Sequence, residues 1–346
     1  MNIKQHVPPK VIEAAGCVFA HPDLKGRRHK NGNVYTSRTL FLYNVAQVLY
    51  KNNKWHAKKR KPVSDDTKYK RFTECQSMCH DLHNLGYKVM LPTQIRQKHV
   101  KALTHYWEAS DLMPGTIAQK VSVLRTLLGW VGRTDVIGTL TNEDMFNDPK
   151  CTVRTLVAKE DKSWDKKTDI LRLLDQVEAD DKFVGRQLKL AHFFGMRVEE
   201  TMMLRPAVDY DRNSSVLHVR RGTKGGRPRI VLVEKEAQKE LLETLIEQSF
   251  GKPVSTMPLR AKLGGWLKHF YKVCNRHGIS RKDGITPHGL RHGYAHRLYE
   301  EKTGSAPTAV TGVKLDIDYI NDRIARLLVA EDLGHSRVSI SSAYLG

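Results

Sequence analysis

"ITPHGLRHGYAHRLYE", residues 285–300, places His288, Arg291 and His292 within five positions. Thr286 followed by Pro287 reads as a helix N-cap with proline in the first turn, where the missing N–H costs nothing. On that helix His288 and Arg291, three apart, share one face close to the N-terminus. A helix start favours anions, and a fixed cation with an imidazole beside it suits a phosphate. The stretch poses a choice: the helix either holds a phosphate or takes part in cutting next to one.

Charge narrows the partner. The 346 residues carry 58 Lys and Arg against 37 Asp and Glu, a formal net charge of +21. An excess of that size points to a polyanion, because each neutralised phosphate releases counterions. A merely solvated basic surface is the alternative reading. From Ala20 to Lys61 there are eleven Lys or Arg and one acid, Asp23. That run reads either as a nucleic-acid-binding arm or as a soluble, partly disordered tail. Five cysteines, at 17, 75, 79, 151 and 274, are too scattered for a disulfide framework and fit a reducing compartment. "CQSMCHDLH" brings Cys75, Cys79, His80 and His83 together but lacks zinc-knuckle spacing, so it reads as buried helix cysteines. No 18-residue apolar run or signal-peptide core is present, which predicts a cytoplasmic protein without membrane attachment.

Three regions follow from the pattern. Residues 1–60 are basic, with "TLFLYNVAQVLY" as a single candidate helix. Residues 61–150 turn helical. Ile117, Val121, Leu124, Leu128 and Val131 recur at spacings of four and three, with Thr116 expected as the cap. "IRQKHVKALTHYWEAS" and "KRFTECQSMCHDLHNLG" supply two more helices, and a linker containing "TNEDMFNDPK" closes the region. Residues 151–346 are mixed. "TDILRLLDQVEADD" and "RQLKLAHFFGMRVEETMMLRP" read as helices, and "SVLHVRRGTKGGRPRIVLV" as a β-hairpin with Lys224 at or near its tip.

Phosphoryl transfer needs a nucleophile, cations on the non-bridging oxygens and an acid for the leaving oxygen. No carboxylate cluster lies near His288 in the sequence and no HExxH pattern occurs, so side chains must supply the positive charge. Arg291 is one source. Arg197 is a second, set among Phe193, Phe194, Met196 and Met202, where it needs an anionic partner. Glu200, three residues on, either orients it or is its whole purpose as a structural ion pair.

The C-terminal "EDLGHSRVSISSAYLG" puts His335 nine residues before Tyr344. Arg197 with Glu200, Lys224 in a hairpin, His288-x-x-Arg291, Leu333-Gly334-His335 and Tyr344 thus occur in one order. The set resembles that of the tyrosine recombinases, the phage-integrase family, over residues 151–346. The helical region before it is similar to that family's core-binding domain. The resemblance implies a mainly α fold with a small β-sheet or hairpin in the catalytic domain (α+β). It implies no cofactor and no metal, because the energy of the broken bond is stored in a 3′-phosphotyrosyl link made by Tyr344. Arg197 and Arg291 would grip the phosphate, Lys224 would protonate the departing 5′-oxygen, His288 would assist proton transfer and His335 would hydrogen-bond the phosphate. For Lys224 there are rivals in Arg220, Arg221, Arg227 and Arg229, any of which would serve as a plain backbone-phosphate contact. His292 lies outside the set and reads as structural.

The implied partners are double-stranded DNA recombination sites, a homo-tetramer on DNA, and accessory DNA-bending or directionality factors. The implied function is integration or excision of a mobile element. A type IB topoisomerase-like enzyme and an inactive DNA-binding relative are the competing readings. Three departures stand out. Gly289 replaces a commonly acidic residue, residues 301–330 are long enough to hold an insertion around "KTGSAPTAVTGVKLDID", and the sequence stops two residues after Tyr344. The last predicts a truncated chain or a different assembly, because the family's tail usually docks on a neighbouring subunit.

Overall fold

The structure is a computed structural model that describes residues 36–56, 62–313 and 317–346. Cys17, much of the basic run and part of the expected insertion lie outside the described residues. Contacts divide the chain into two compact units, Met1–Arg154 and Thr155–Gly346.

Among the described residues the longer helices of the first unit are α1 (Ser37–Asn52), α2 (Asp65–Asn84), α3 (Gln97–Ala109) and α4 (Pro114–Trp130). Thr36 and Ser64 cap the first two through their hydroxyls, each satisfying an orphan N–H. The α4 start differs from the expectation: Pro114 occupies the first turn and Thr116 lies inside the helix. Proline's preset φ and missing N–H suit that first position better than a threonine cap two residues on. The apolar stretch of the basic region forms α1, and its Leu40, Phe41, Val45 and Leu49 join Phe72, Met78, Leu103 and Leu124 in one core. Each such buried side chain contributes about 1.5–3 kcal/mol. Met145 and Phe146, from the stretch read as a linker, are buried in the same core. Glu108 holds that stretch by accepting from the Asn147 N–H at 3.0 Å. Cys75 and Cys79 are buried, and burial pushes both thiols up to about 12, so they remain protonated. Among the described residues no group of three His, Cys, Asp or Glu is placed to hold a metal ion, and no helix is long and apolar enough to cross a membrane.

The second unit contains α5 (Ile170–Asp180), α6 (Lys182–Phe194), α7 (Val198–Met203), α8 (Glu236–Gln248), α9 (Leu263–Arg276), α10 (Pro287–Thr303), α11 (Tyr319–Asp332) and the single turn α12 (Ser342–Leu345). A three-stranded antiparallel sheet runs in the order β1 (Tyr210–Asp211), β2 (Val216–Val219), β3 (Arg229–Leu232). The expected hairpin is β2–β3, with Leu217 opposite Val231 and Val219 opposite Arg229. Leu217, Val219 and Val231 are buried against Leu190, Phe194 and Leu242, while Ile230 and Leu232 alternate to the open face. The sheet is therefore a small lid over α6 and α8, and the unit is mainly α with a minor β component.

Candidate active site

Helix α10 begins where the sequence placed it, with Thr286 as N-cap and Pro287 at the first position. The Thr286 hydroxyl makes no cap bond; its carbonyl accepts instead from the Trp164 indole N–H at 2.8 Å. That fully buried tryptophan explains Gly289. A Cβ there would stand 2.6 Å from the Lys162 carbonyl and 2.7 Å from Trp164 Nε1, so no side chain fits, acidic or otherwise.

Arg291, one turn further, is fully buried. Its NH1 donates to the Gly195 carbonyl, its NH2 to the Leu333 carbonyl at 2.6 Å, and its Nε to the Tyr344 hydroxyl at 3.2 Å. Gly195 ends α6 at φ +58°, and a Cβ there would lie 2.4 Å from the Tyr294 ring. Glycine is thus what lets that carbonyl reach the guanidinium. The two carbonyls fix the planar fork, and the N–H groups at Nε and NH2 that now meet Tyr344 and His335 are the ones available to an anion.

His335 follows α11, and its Nε2 lies 3.4 Å from Arg291 NH2 and 3.4 Å from the Tyr344 hydroxyl. Arginine can only donate, so His335 Nε2 is an acceptor and its ring proton sits on Nδ1. Burial first, then the Arg291 and Arg197 charges, push His335 down to about 4. His288 is also pushed down to about 4, by its packing and then by Arg291 and Arg197. His288 is nonetheless an exposed residue, and water works against the depression. Its centroid is 6.1 Å from that of Tyr344, so the imidazole that reaches the hydroxyl is His335.

Arg197 sits at the entry to α7, one-fifth exposed, and its NH1 pairs with Glu200 at 2.7 Å. Glu200 is fully buried and also pairs with Arg229 at 2.7 Å and, more distantly, with Arg291 at 3.9 Å. Burial opposes its ionisation, but the Arg229 and Arg197 charges outweigh that and hold the carboxyl below the usual range. One carboxylate therefore sits among three guanidinium groups, which leaves excess positive charge beside Tyr344. The ion pair and the anion-binding reading of Arg197 are compatible, since one pair leaves further N–H groups on a part-exposed side chain.

Lys224 lies exposed in a one-turn connection, Lys224–Gly226, between β2 and β3. Its charge contributes to the depression of both His288 and His335, which places it within electrostatic reach of the site. Two of its rivals are committed elsewhere: Arg221 pairs with buried Asp209 at 2.9 Å, and Arg229 is buried on Glu200. Arg220 and Arg227 remain exposed beside it. The structure thus brings Arg197, His288, Arg291, His335 and Tyr344 together, with Lys224 on the β2–β3 loop in electrostatic reach of the two histidines.

Arg229 was legible only as one more loop cation. Its alternation with Val231 along the strand was the available signal for burial. Among the described residues none of its guanidinium nitrogens has a directed hydrogen bond, so its tie to Glu200 is Coulombic. His292, read as structural, is buried with its ring centroid 4.7 Å from that of Tyr344.

The fold and this arrangement define a two-unit, mainly helical protein that sets a tyrosine hydroxyl against a buried arginine and a histidine. Residues 153–297 match the model of the Integrase family, and residues 48–137 match that of the phage integrase N-terminal domain. The fold is similar to the Tn1549 transposon integrase in complex with transposon right end DNA. The TM-score is 0.52 at 14% identity, covering 87% of this chain and 94% of that one. It is also similar to the XerH site-specific recombinase bound to palindromic difH substrate in a post-cleavage complex. There the TM-score is 0.54 at 15% identity, covering 92% and 95%. No curated protein matches the sequence significantly. The chain belongs to the integrase family, the tyrosine recombinases, which cleave and rejoin DNA at specific sites. The Integrase match stops at residue 297, so the placement of His335 and Tyr344 rests on the geometry just described.

Proposed function

We propose that this recombinase integrates or excises a mobile element through a 3′-phosphotyrosyl intermediate, with Tyr344 as nucleophile. The observation that carries the reading is the Tyr344 hydroxyl at 3.2 Å from Arg291 Nε and 3.4 Å from His335 Nε2. The Tyr344 oxygen attacks the scissile phosphorus, and its proton passes to a neutral imidazole. His335 is the nearer acceptor, and His288 would assist the transfer from the exposed side of the site. Arg291 and Arg197 stabilise the charge that develops on the non-bridging oxygens. The bond from phosphorus to the 5′-oxygen breaks, and Lys224 supplies the proton that oxygen takes up. Rejoining reverses each step.

The first unit would grip the duplex as a core-binding domain and the second would carry the chemistry. The expected basic residues before α1 would add phosphate contacts. Exchange between two sites breaks four strands with one tyrosine each, so the working form would be a tetramer on DNA, with accessory bending or directionality factors acting on that assembly.

The test is a nicked suicide substrate carrying the recombination site. A covalent protein–DNA adduct that survives denaturant is expected, and Tyr344→Phe should abolish it while leaving DNA binding intact. An adduct that persists in Tyr344→Phe would overturn the assignment of the nucleophile.

A further inference from the structure

One histidine on α10 has no part in this scheme. His296 is 5% exposed, and its Nε2 lies 2.9 Å from the carbonyl oxygen of Tyr344 itself. That carbonyl belongs to a single helical turn, α12, whose last carbonyls have no partner along the helix. A carbonyl only accepts, so His296 Nε2 carries a proton and donates it. The other ring nitrogen faces an acceptor too: Nδ1 stands 3.7 Å from Asp161 Oδ1 and has no hydrogen-bond partner among the described residues. Asp161 is itself held by the Ser163 N–H at 2.7 Å, so the ring lies between a fixed carboxylate and the peptide of Tyr344, bonded to the second.

The rest of the C-terminal turn is tied at other points. Ala158 N–H donates to the Ser342 carbonyl at 2.8 Å, and Arg326 donates to the Gly346 carbonyl at 2.9 Å. At the Tyr344 peptide, the N–H donates within the turn to the Ser341 carbonyl at 2.9 Å, and the carbonyl accepts from His296, an anchor outside the turn. His292 completes the seat by packing its ring against the tyrosine ring.

We propose that His296 is a positioning residue for the nucleophile. By holding the Tyr344 peptide it keeps the phenol oxygen in line with the anion held by Arg291 and His335, without itself touching the phosphate. The inference rests on Tyr344 being the nucleophile. A misplacement of about 1 Å at a reacting atom costs about 100-fold in rate, so a lost peptide anchor should be visible in cleavage rather than in binding.

The test compares His296→Gln with His296→Met, two side chains of similar length of which only the first can donate to the carbonyl. Single-turnover cleavage at saturating DNA should fall about 100-fold in His296→Met and recover most of that loss in His296→Gln, with DNA affinity unchanged in both. A second arm uses the Tyr344→Phe protein, which keeps the peptide carbonyl, with hydrogen peroxide added as the attacking oxygen. The peroxide oxygen bonds to phosphorus, its proton goes to solvent, and the bond to the 5′-oxygen breaks as before. That reaction uses the phosphate-holding groups and not the phenol, so adding His296→Met to Tyr344→Phe should leave its rate unchanged. Equal slowing of the tyrosine and peroxide reactions would overturn the proposal by making His296 a support of the arginines. Equal rates for the methionine and glutamine variants would overturn it as well. An adduct that survives Tyr344→Phe would instead refute the nucleophile assignment beneath it.

Discussion

Replacing Glu200 with glutamine removes the carboxylate paired with three guanidinium groups while keeping the shape of the side chain. Arg229 and Arg291 are 3% and 0% exposed at the side chain, so neither can turn to water for compensation. Arg197 keeps one-fifth of its side chain exposed and loses less. At an effective dielectric constant of about 20, a unit pair about 4 Å apart is worth about 4 kcal/mol before desolvation. Desolvation of Glu200 itself offsets part of this, and removing one partner of a buried pair costs about 3–5 kcal/mol net. Glu200→Gln should therefore destabilise the second unit by about 3–5 kcal/mol. Denaturant titration, with amide exchange at β2 and β3 reporting the second unit, measures the loss. Arg229→Met then supplies the control, because it removes the cation that the first substitution orphans. The double variant should be more stable than the sum of the singles predicts, with a coupling of about 2 kcal/mol. A loss below about 1 kcal/mol for Glu200→Gln, or strict additivity with Arg229→Met, would refute a charge-balancing role for the buried cluster.

Lys224→Ala should be badly impaired on ordinary DNA yet recover most of its cleavage rate when sulfur replaces the bridging 5′-oxygen, since a thiolate departs without a proton. Arg291→Ala should not be rescued by that substrate, and a Lys224→Ala protein that stays slow on it would place the general acid elsewhere. Stability should fall on acidification from pH 7 to 5. His292 and His335, pushed down to about 3 and about 4, are neutral in the folded chain, whereas the unfolded histidines take up protons below about 6.5. The stabilisation is complete above that value and is lost as pH falls, by about 2 kcal/mol for each of the two at pH 5. Denaturant midpoints that stay flat between pH 7 and 5 would show these rings to be protonated or hydrated in the folded protein.

The features that could be read from the sequence were those carried by short stretches. A helix starting at Thr286-Pro287, the face shared by His288 and Arg291, the β2–β3 hairpin and the apolar period of α4 depend on propensities and spacings a few residues long, and the structure contains each. The pairing of Arg197 with Glu200 is three residues long, and the contact is present at 2.7 Å. The order of the motifs along the chain was legible for a different reason, as a resemblance, and it pointed to Arg197, Lys224, His288, Arg291, His335 and Tyr344 before any of them could be placed in space. Long-range packing decided the rest. Nothing local in "HGLRHGYAH" says that Arg291 will be held by the carbonyls of Gly195 and Leu333, or that Gly289 is required by Trp164, 125 positions before it. Arg229 read only as a rival phosphate contact and His296 carried no signal, until the fold buried one on Glu200 and set the other on the peptide of Tyr344. A buried charge or imidazole must find its partner wherever the chain happens to pass, and backbone carbonyls, which supply many of those partners here, are present at every residue and leave no mark in the sequence.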